Sequence, residues 1–280
     1  MRKLLLCPPD HYGIEYEINP WMDRTHKALP ALAREQWAGL RDKLESLGCE
    51  VNLIAPQPKL PDMVFTANAG LVVGKTYIRS NFRFAERRGE ETHFEKWFAE
   101  QGYEIARLPD GLFFEGEGDA LFCGDILFCG YRFRSDIRSH QTVGEILKCL
   151  VISLELVEAR YYHLDTCFCP LPGGGAMWYP GAFDEYGQRV IRHRIQDLIE
   201  VAPEEAIHFA CNAVVIGKQI VLPEDCPKLY RTLEEHGYVS HPLSMTEFLK
   251  AGGACKCLTL LLPQWGRDPS TIESALSTKT

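Results

Sequence analysis

The residues of this sequence best suited to covalent chemistry are Cys257, in Lys-Ala-Gly-Gly-Ala-Cys-Lys-Cys-Leu-Thr-Leu (250–260), and the pair His163 and Asp165. The glycine pair lets backbone approach a ligand closely, and Cys257 stands at the mouth of an apolar run. A thiolate there serves as a nucleophile if a cation or helix terminus lowers its pKa. Read alone, a cysteine before an apolar strand is more often an inert core residue. On a strand, residues two apart share a face, so His163 and Asp165 would point the same way. That pair supplies either a general acid/base with a carboxylate for a cationic substrate, or a structural hydrogen bond. Phe-Glu-Gly-Glu-Gly-Asp (114–119) gathers Glu115, Glu117 and Asp119 near one turn, and its flanking aromatics argue against a purely solvated acidic loop. Cysteine, histidine and several carboxylates together suit attack on a cationic, electrophilic carbon. A guanidinium fits, being planar, positive and able to use carboxylates as bidentate anchors. A rival use of the same atoms is zinc binding by Cys167, Cys169, Cys255 or Cys257 with His163, although Cys-x-x-Cys is the commoner ligand spacing.

Positioning such groups calls for a scaffold, and internal similarity indicates one. Short apolar runs recur, each opened by a small polar, acidic or thiol residue: Asn68, Asp119, Asp165, Asn212 and, in a partial copy, Cys257. The starts are 51, 46, 47 and 45 positions apart (119−68, 165−119, 212−165, 257−212). Gly-Lys and Gly-Asp between paired runs suit hairpin turns that need positive φ. Leu29, Leu32, Trp37, Leu40, Leu44 and Leu47 lie at helical spacing before Gly48, as do Phe94, Trp97 and Phe98 before Gly102, and Leu229 and Leu233 before Gly237. A short strand follows each glycine, and helices are expected near 137–150 and 185–200. A hairpin, a helix and a further strand make one module of about 47 residues, and five modules would close into a ring. The expected fold class is therefore α/β, with equivalent polar positions converging on a central axis; the alternative is an ordinary α/β sandwich.

Composition narrows the function. The chain has 280 residues, is 46% hydrophobic and 24% charged, and carries 30 basic against 38 acidic residues for a net charge of −8. That charge repels phosphate backbones, so no nucleic acid partner is expected. No apolar stretch reaches membrane-spanning length, and Pro8, Pro9 and Asp10 interrupt the only signal-like start. Eleven cysteines with no export signal predict free thiols in a reducing, cytoplasmic compartment.

The motifs also carry a resemblance. Cys-Pro-Pro-Asp-His-Tyr (7–12), Ile-Asn-Pro-Trp-Met (18–22), Pro-Asp-Met-Val-Phe-Thr-Ala-Asn-Ala-Gly-Leu (61–71), Phe-Glu-Gly-Glu-Gly-Asp-Ala-Leu-Phe (114–122), Tyr-His-Leu-Asp-Thr-Cys-Phe-Cys-Pro-Leu (162–171), Phe-Ala-Cys-Asn-Ala-Val (209–214) and 248–260 resemble the guanidino-group modifying enzymes. The arginine dihydrolases are the members most similar, and the likeness runs from about residue 3 to residue 262. It implies a five-bladed α/β propeller, the pentein fold, as a single catalytic domain over 1–265 with a tail over 266–280. It implies Cys257 as nucleophile, His163 as general acid/base, Glu115 as the carboxylate orienting it, and Asp165 and Asp119 as substrate ligands. Asn68 is similar to the dihydrolases where citrulline-forming deiminases carry aspartate. By the same likeness Asn19, Arg87, Arg134 and the backbone of Ala251 would hold the amino-acid end of free L-arginine. The implied reaction yields L-ornithine, carbon dioxide and two ammonia through a covalent thiouronium, with no metal or cofactor. Deiminase, methylarginine hydrolase, amidinotransferase and an inactive pentein binding module stand as alternatives. A ring with exposed apolar edges often pairs, which allows a homo-oligomer. Cys255 departs from the pattern, and is either packing or a redox partner able to silence Cys257. The chain as given ends at Thr280 without the larger C-terminal partner of related enzymes, so ornithine would diffuse to another enzyme.

Overall fold

A computed structural model describes residues 1–262; the expected tail over 266–280 and the last three residues of the expected domain lie outside the described residues. The recurring runs pair into five three-stranded sheets. One holds β1 (Lys3–Leu6), β2 (Glu50–Leu53) and β15 (Leu260–Leu262); the next has β3 (Gly70–Val73), β4 (Thr76–Arg79) and β5 (Glu104–Ala106). The third has β6 (Ala120–Cys123), β7 (Ile126–Tyr131) and β8 (Val151–Glu155). The fourth has β9 (Phe168–Pro170), β10 (Ala176–Trp178) and β11 (Leu198–Glu200), and the fifth β12 (Val214–Ile216), β13 (Gln219–Pro223) and β14 (Val239–Leu243).

Every sheet joins an antiparallel pair to a third, parallel strand, and in four of the five the antiparallel pair is a hairpin. The parallel third strand requires a crossover, and a helix supplies it. Helices Pro30–Ser46, Glu90–Glu100, Ile137–Leu147, Glu185–Arg194 and Pro227–Glu235 occupy those crossovers. Hairpin glycines Gly74, Gly124 and Gly217 have φ of 56°, 60° and 60°, the left-handed conformation that tight turns demand of them. The helix expected over 185–200 stops at Arg194, because Leu198–Glu200 is needed as β11.

The first sheet joins the two ends of the described chain. β15 pairs antiparallel with β1, placing Leu5 opposite Leu260, and β1 pairs in parallel with β2. The final, partial copy of the repeat is thus completed by the N-terminus. Crossover helices turn one stripe inward: Ala33, Trp37, Leu40 and Leu44 of the first are buried at helical spacing, with Gln36 beside them.

One turn of helix precedes the first strand of four sheets, and these turns carry the polar residues that opened each repeat. They are Thr66–Ala69 with Asn68, Gly116–Asp119 with Asp119 and Leu164–Thr166 with Asp165, and a turn over 256–259 holds Cys257. Asn212 ends a fifth turn, its N–H donating to Phe209 O. Among the described residues no helix is long and apolar enough to cross a membrane.

Candidate active site

The five turns meet in chain order. Gly118 packs so closely that a Cβ there would lie 2.3 Å from Asn68 Nδ2 and 3.3 Å from the His163 ring. Asp119 Oδ1 accepts from Leu164 N at 3.1 Å, and Asn212 Nδ2 donates to Asp165 O at 3.1 Å. Asn212 also contacts Cys257, whose own carbonyl accepts from Ala67 N at 3.1 Å. Each turn therefore positions a side chain against its neighbours, and the last returns to the first.

At the nucleophile, Cys257 is buried, and its thiol donates to Asp165 Oδ2 at 3.3 Å. Burial, then the Asp165 charge, pushes this thiol well above the usual range, so it rests protonated. Asp165 is itself pushed up to about 7, mainly by burial, against the pull of Lys256. Its Oδ1 is buried without a protein partner. A cation beside that oxygen would favour ionisation of both groups.

The histidine expected as acid/base stands alongside. His163 bonds through Nε2 to Glu115 Oε2 at 2.8 Å, and Arg134 Nη1 donates to the same oxygen at 3.0 Å. Burial opposes ionisation of Glu115, but Arg134 and His163 outweigh it and hold the carboxyl well below the usual range. His163 and Asp165 are not on a strand as expected. His163 leads into the turn Leu164–Thr166, capped by Thr166 Oγ1 donating to His163 O, and the two side chains reach different partners, Glu115 and Cys257.

Asn68 accepts from Arg87 Nη1 through Oδ1 at 2.7 Å, which turns its Nδ2, buried and unpartnered, toward the His163 side. Arg87 also grips Glu90 with Nε and Nη2 and donates from Nη2 to Asp62 O, leaving one of its five N–H groups for a ligand. Arg134 donates to Ile18 O beside Glu115 and stacks against the Phe84 and Tyr162 rings, with three N–H groups remaining. Asn19 donates to Ala251 O at 3.0 Å and braces that loop. Asp119, expected as a substrate ligand, has both oxygens occupied by protein: Oδ2 takes Ser135 N and Oγ, and Oδ1 takes Leu164 N. It braces the His163 turn instead.

Sequence reasoning passed over three buried participants. Asn212 was visible only as a repeat position, Asp62 and Glu90 not at all, since an acid in a 3-10 turn or a helix reads as solvated. Among the described residues no group of three or more His, Cys, Asp or Glu side chains could hold a metal ion. Cys255 is fully buried, its thiol pushed up by burial, which suits packing rather than redox partnership. Behind the nucleophile Lys256 Nζ bonds Glu117 Oε2 at 2.8 Å and Thr259 O at 3.0 Å, and Glu117 also accepts from Leu261 N. Beyond that pair opens a separate cavity of about 1090 Å³, walled by Leu71, Leu121, Phe168, Val214 and Leu261 and touching neither Cys257 nor His163.

A buried thiol, a histidine oriented by an ionised carboxylate, and an unpartnered carboxylate oxygen define a site for nucleophilic substitution at a cationic carbon. Residues 14–262 match the family of N,N dimethylarginine dimethylhydrolase, eukaryotic, and the chain belongs to that family, within the guanidino-group modifying enzymes. It is 48% identical over 263 residues to the bifunctional arginine dihydrolase/ornithine cyclodeaminase ArgZ of Synechocystis, covering 92% of this chain and 37% of that protein. The chain thus spans little more than a third of that relative. It is 37% identical to the N(G),N(G)-dimethylarginine dimethylaminohydrolase of Mycobacterium tuberculosis, over 92% of this chain and 85% of that one. The substrate-bound mutant crystal structure of the N-terminal domain of ArgZ, a cyanobacterial arginine dihydrolase, superposes with a TM-score of 0.91 at 46% identity, covering 93% of this chain and 98% of that one.

Proposed function

We propose that this protein is an arginine dihydrolase, converting L-arginine and two waters to L-ornithine, carbon dioxide and two ammonia. The observation that carries the reading is Asn68: its carbonyl is tied to Arg87, so an amide N–H donor, rather than a carboxylate, borders the reaction centre. The likeness to ArgZ supports it. In this reading the five sheets form the blades of a pentein propeller, and free thiols throughout suit a cytoplasmic setting.

The guanidinium lies against Asp165 Oδ1, and its charge draws the proton from the Cys257 and Asp165 pair. Asn19, the Ala251 carbonyl and the donors left on Arg87 and Arg134 receive the amino-acid end. The Cys257 sulfur attacks the guanidinium carbon, and His163, oriented by Glu115, hands a proton to the departing ammonia. A thiouronium remains on Cys257. His163 then takes a proton from a water whose oxygen adds to the same carbon. Here the two outcomes divide. Breaking the C–S bond gives citrulline, whereas loss of the second ammonia keeps the carbon on sulfur. A second water then releases it as carbon dioxide and frees the ornithine amine. Asn68 Nδ2 donates to the oxygen gained from the first water, which holds the adduct for the second round; an aspartate would instead hold guanidinium nitrogens.

Product analysis tests this. Purified protein given L-arginine is expected to yield ornithine with two ammonia per arginine, and Cys257→Ser none. Asn68→Asp is expected to shift product toward citrulline with one ammonia. Citrulline from the unsubstituted protein, or turnover of dimethylarginine in preference to arginine, would overturn the reading.

A further inference from the structure

One fully buried side chain at the nucleophile is not used by the reaction just described. Asn212 Oδ1 accepts three backbone N–H groups, from Ala254 at 3.1 Å, Lys256 at 3.0 Å and Cys257 at 3.1 Å. Three converging donors identify that atom as the amide oxygen, because an NH2 group cannot receive them. The amide nitrogen must therefore face the other way, where it donates to Asp165 O at 3.1 Å and to Cys257 Sγ at 3.0 Å. Every hydrogen-bonding atom of the side chain is engaged, and all of its partners belong to the Cys257 turn or its neighbour.

We propose that Asn212 is a further catalytic residue: its oxygen sets the loop that aims Cys257, and its N–H stabilises the sulfur once the proton has left. A neutral thiol is a weak acceptor and a thiolate a strong one, so this bond gains strength only on ionisation. Asp165 acts in the opposite sense, since its carboxylate accepts the thiol proton and repels the thiolate. Lys256 and Tyr162 also act on Cys257 through their charges, and neither is among its hydrogen-bond partners. With the Ala254 backbone, Asn212 is thus a donor through which protein, rather than substrate, favours the reactive form, and it is the side chain that substitution can test. The inference rests on Cys257 as nucleophile and not on arginine as substrate.

Asn212→Asp separates the two roles, because a carboxylate keeps an acceptor for the three N–H groups and removes the donor to sulfur. Alkylation of Cys257 by iodoacetamide, quantified by peptide mass spectrometry with Cys257→Ser as blank, is expected to slow about 10- to 100-fold at pH 8, with its pH dependence moved upward. With L-arginine, kcat is expected to fall by a similar factor while KM changes less than about twofold. A folded Asn212→Asp protein with unchanged alkylation and kcat would overturn the proposal. If the variant does not fold, the unsubstituted protein decides: the side-chain amide NMR signals of Asn212 are expected to move as Cys257 ionises and to stay fixed in Cys257→Ser. Signals that do not move in the unsubstituted protein would overturn it equally. Loss of alkylation in a protein that never converts arginine would sink the dihydrolase reading and leave Asn212 its role.

Discussion

A thiol that rests protonated against a carboxyl poised near neutrality makes substrate charge part of the chemistry. Asp165 is pushed up to about 7 by burial, with one oxygen unpartnered and the other holding the Cys257 proton. A bound guanidinium favours the carboxylate, so a proton must leave on binding. For Cys257→Ser, which cannot turn over, calorimetry with L-arginine in buffers of different ionisation enthalpy is expected to show release of about half a proton at pH 7. Release should fade toward pH 9, where Asp165 is already ionised, and vanish in Asp165→Asn. Equal release in that variant would assign the proton elsewhere. Residue type made Cys257, His163 and the acids at 115–119 candidates, and only the family resemblance singled out Glu115 among those acids. Residue type could not disclose Asn212, because asparagine before a strand is ordinary turn material; only its place in the repeat marked it. Glu90 and Asp62 were hidden for a related reason, as their burial depends on Arg87 folding over them.

The elements that matter most here are single helical turns, and they were the hardest to read. His-Leu-Asp alternates with the period of a strand, and nothing local distinguishes that from a turn capped by the next threonine. What decides it is Asp119, about one repeat earlier in the chain, whose carboxylate accepts Leu164 N. Hairpins and crossover helices, by contrast, were legible from glycine placement and helical spacing, which depend only on neighbours in sequence. Gly118 tests the packing of two turns. An added methyl would meet Asn68 Nδ2 at 2.3 Å, and Arg87 prevents the amide from simply swinging aside. Gly118→Ala is therefore expected to lower kcat by at least about tenfold while costing roughly 1 to 3 kcal/mol of stability. Unfolding curves and ornithine production measured together check both halves; full activity would show that the Asn68 position is tolerant.

At the scale of the whole molecule, the repeat explains why both ends of the described chain are structural. β1 has a partner on each side, β15 from the far end and β2 from its own crossover. Leu5 and Leu260, opposite one another and fully buried, seal that seam. Leu5→Ala is expected to cost about 2 to 5 kcal/mol, lowering Tm by roughly 5 to 15 °C. A change within about 1 °C in a thermal scan would mean the seam contributes little. The period of the sequence announced this closure, whereas the identity of the strand that completes the last copy came only from three dimensions.

The Lys256–Glu117 pair has a consequence for traffic. It stops the axis between the thiol and the large cavity beyond, its ammonium and carboxylate tied to Thr259 O and Leu261 N as well as to each other. On that side the described residues therefore separate the thiol from the large cavity. In the proposed reaction, ammonia and ornithine could enter that cavity only by parting the ion pair. The pair thus acts as a bulkhead, keeping the charged products out of a compartment whose walls are mainly apolar.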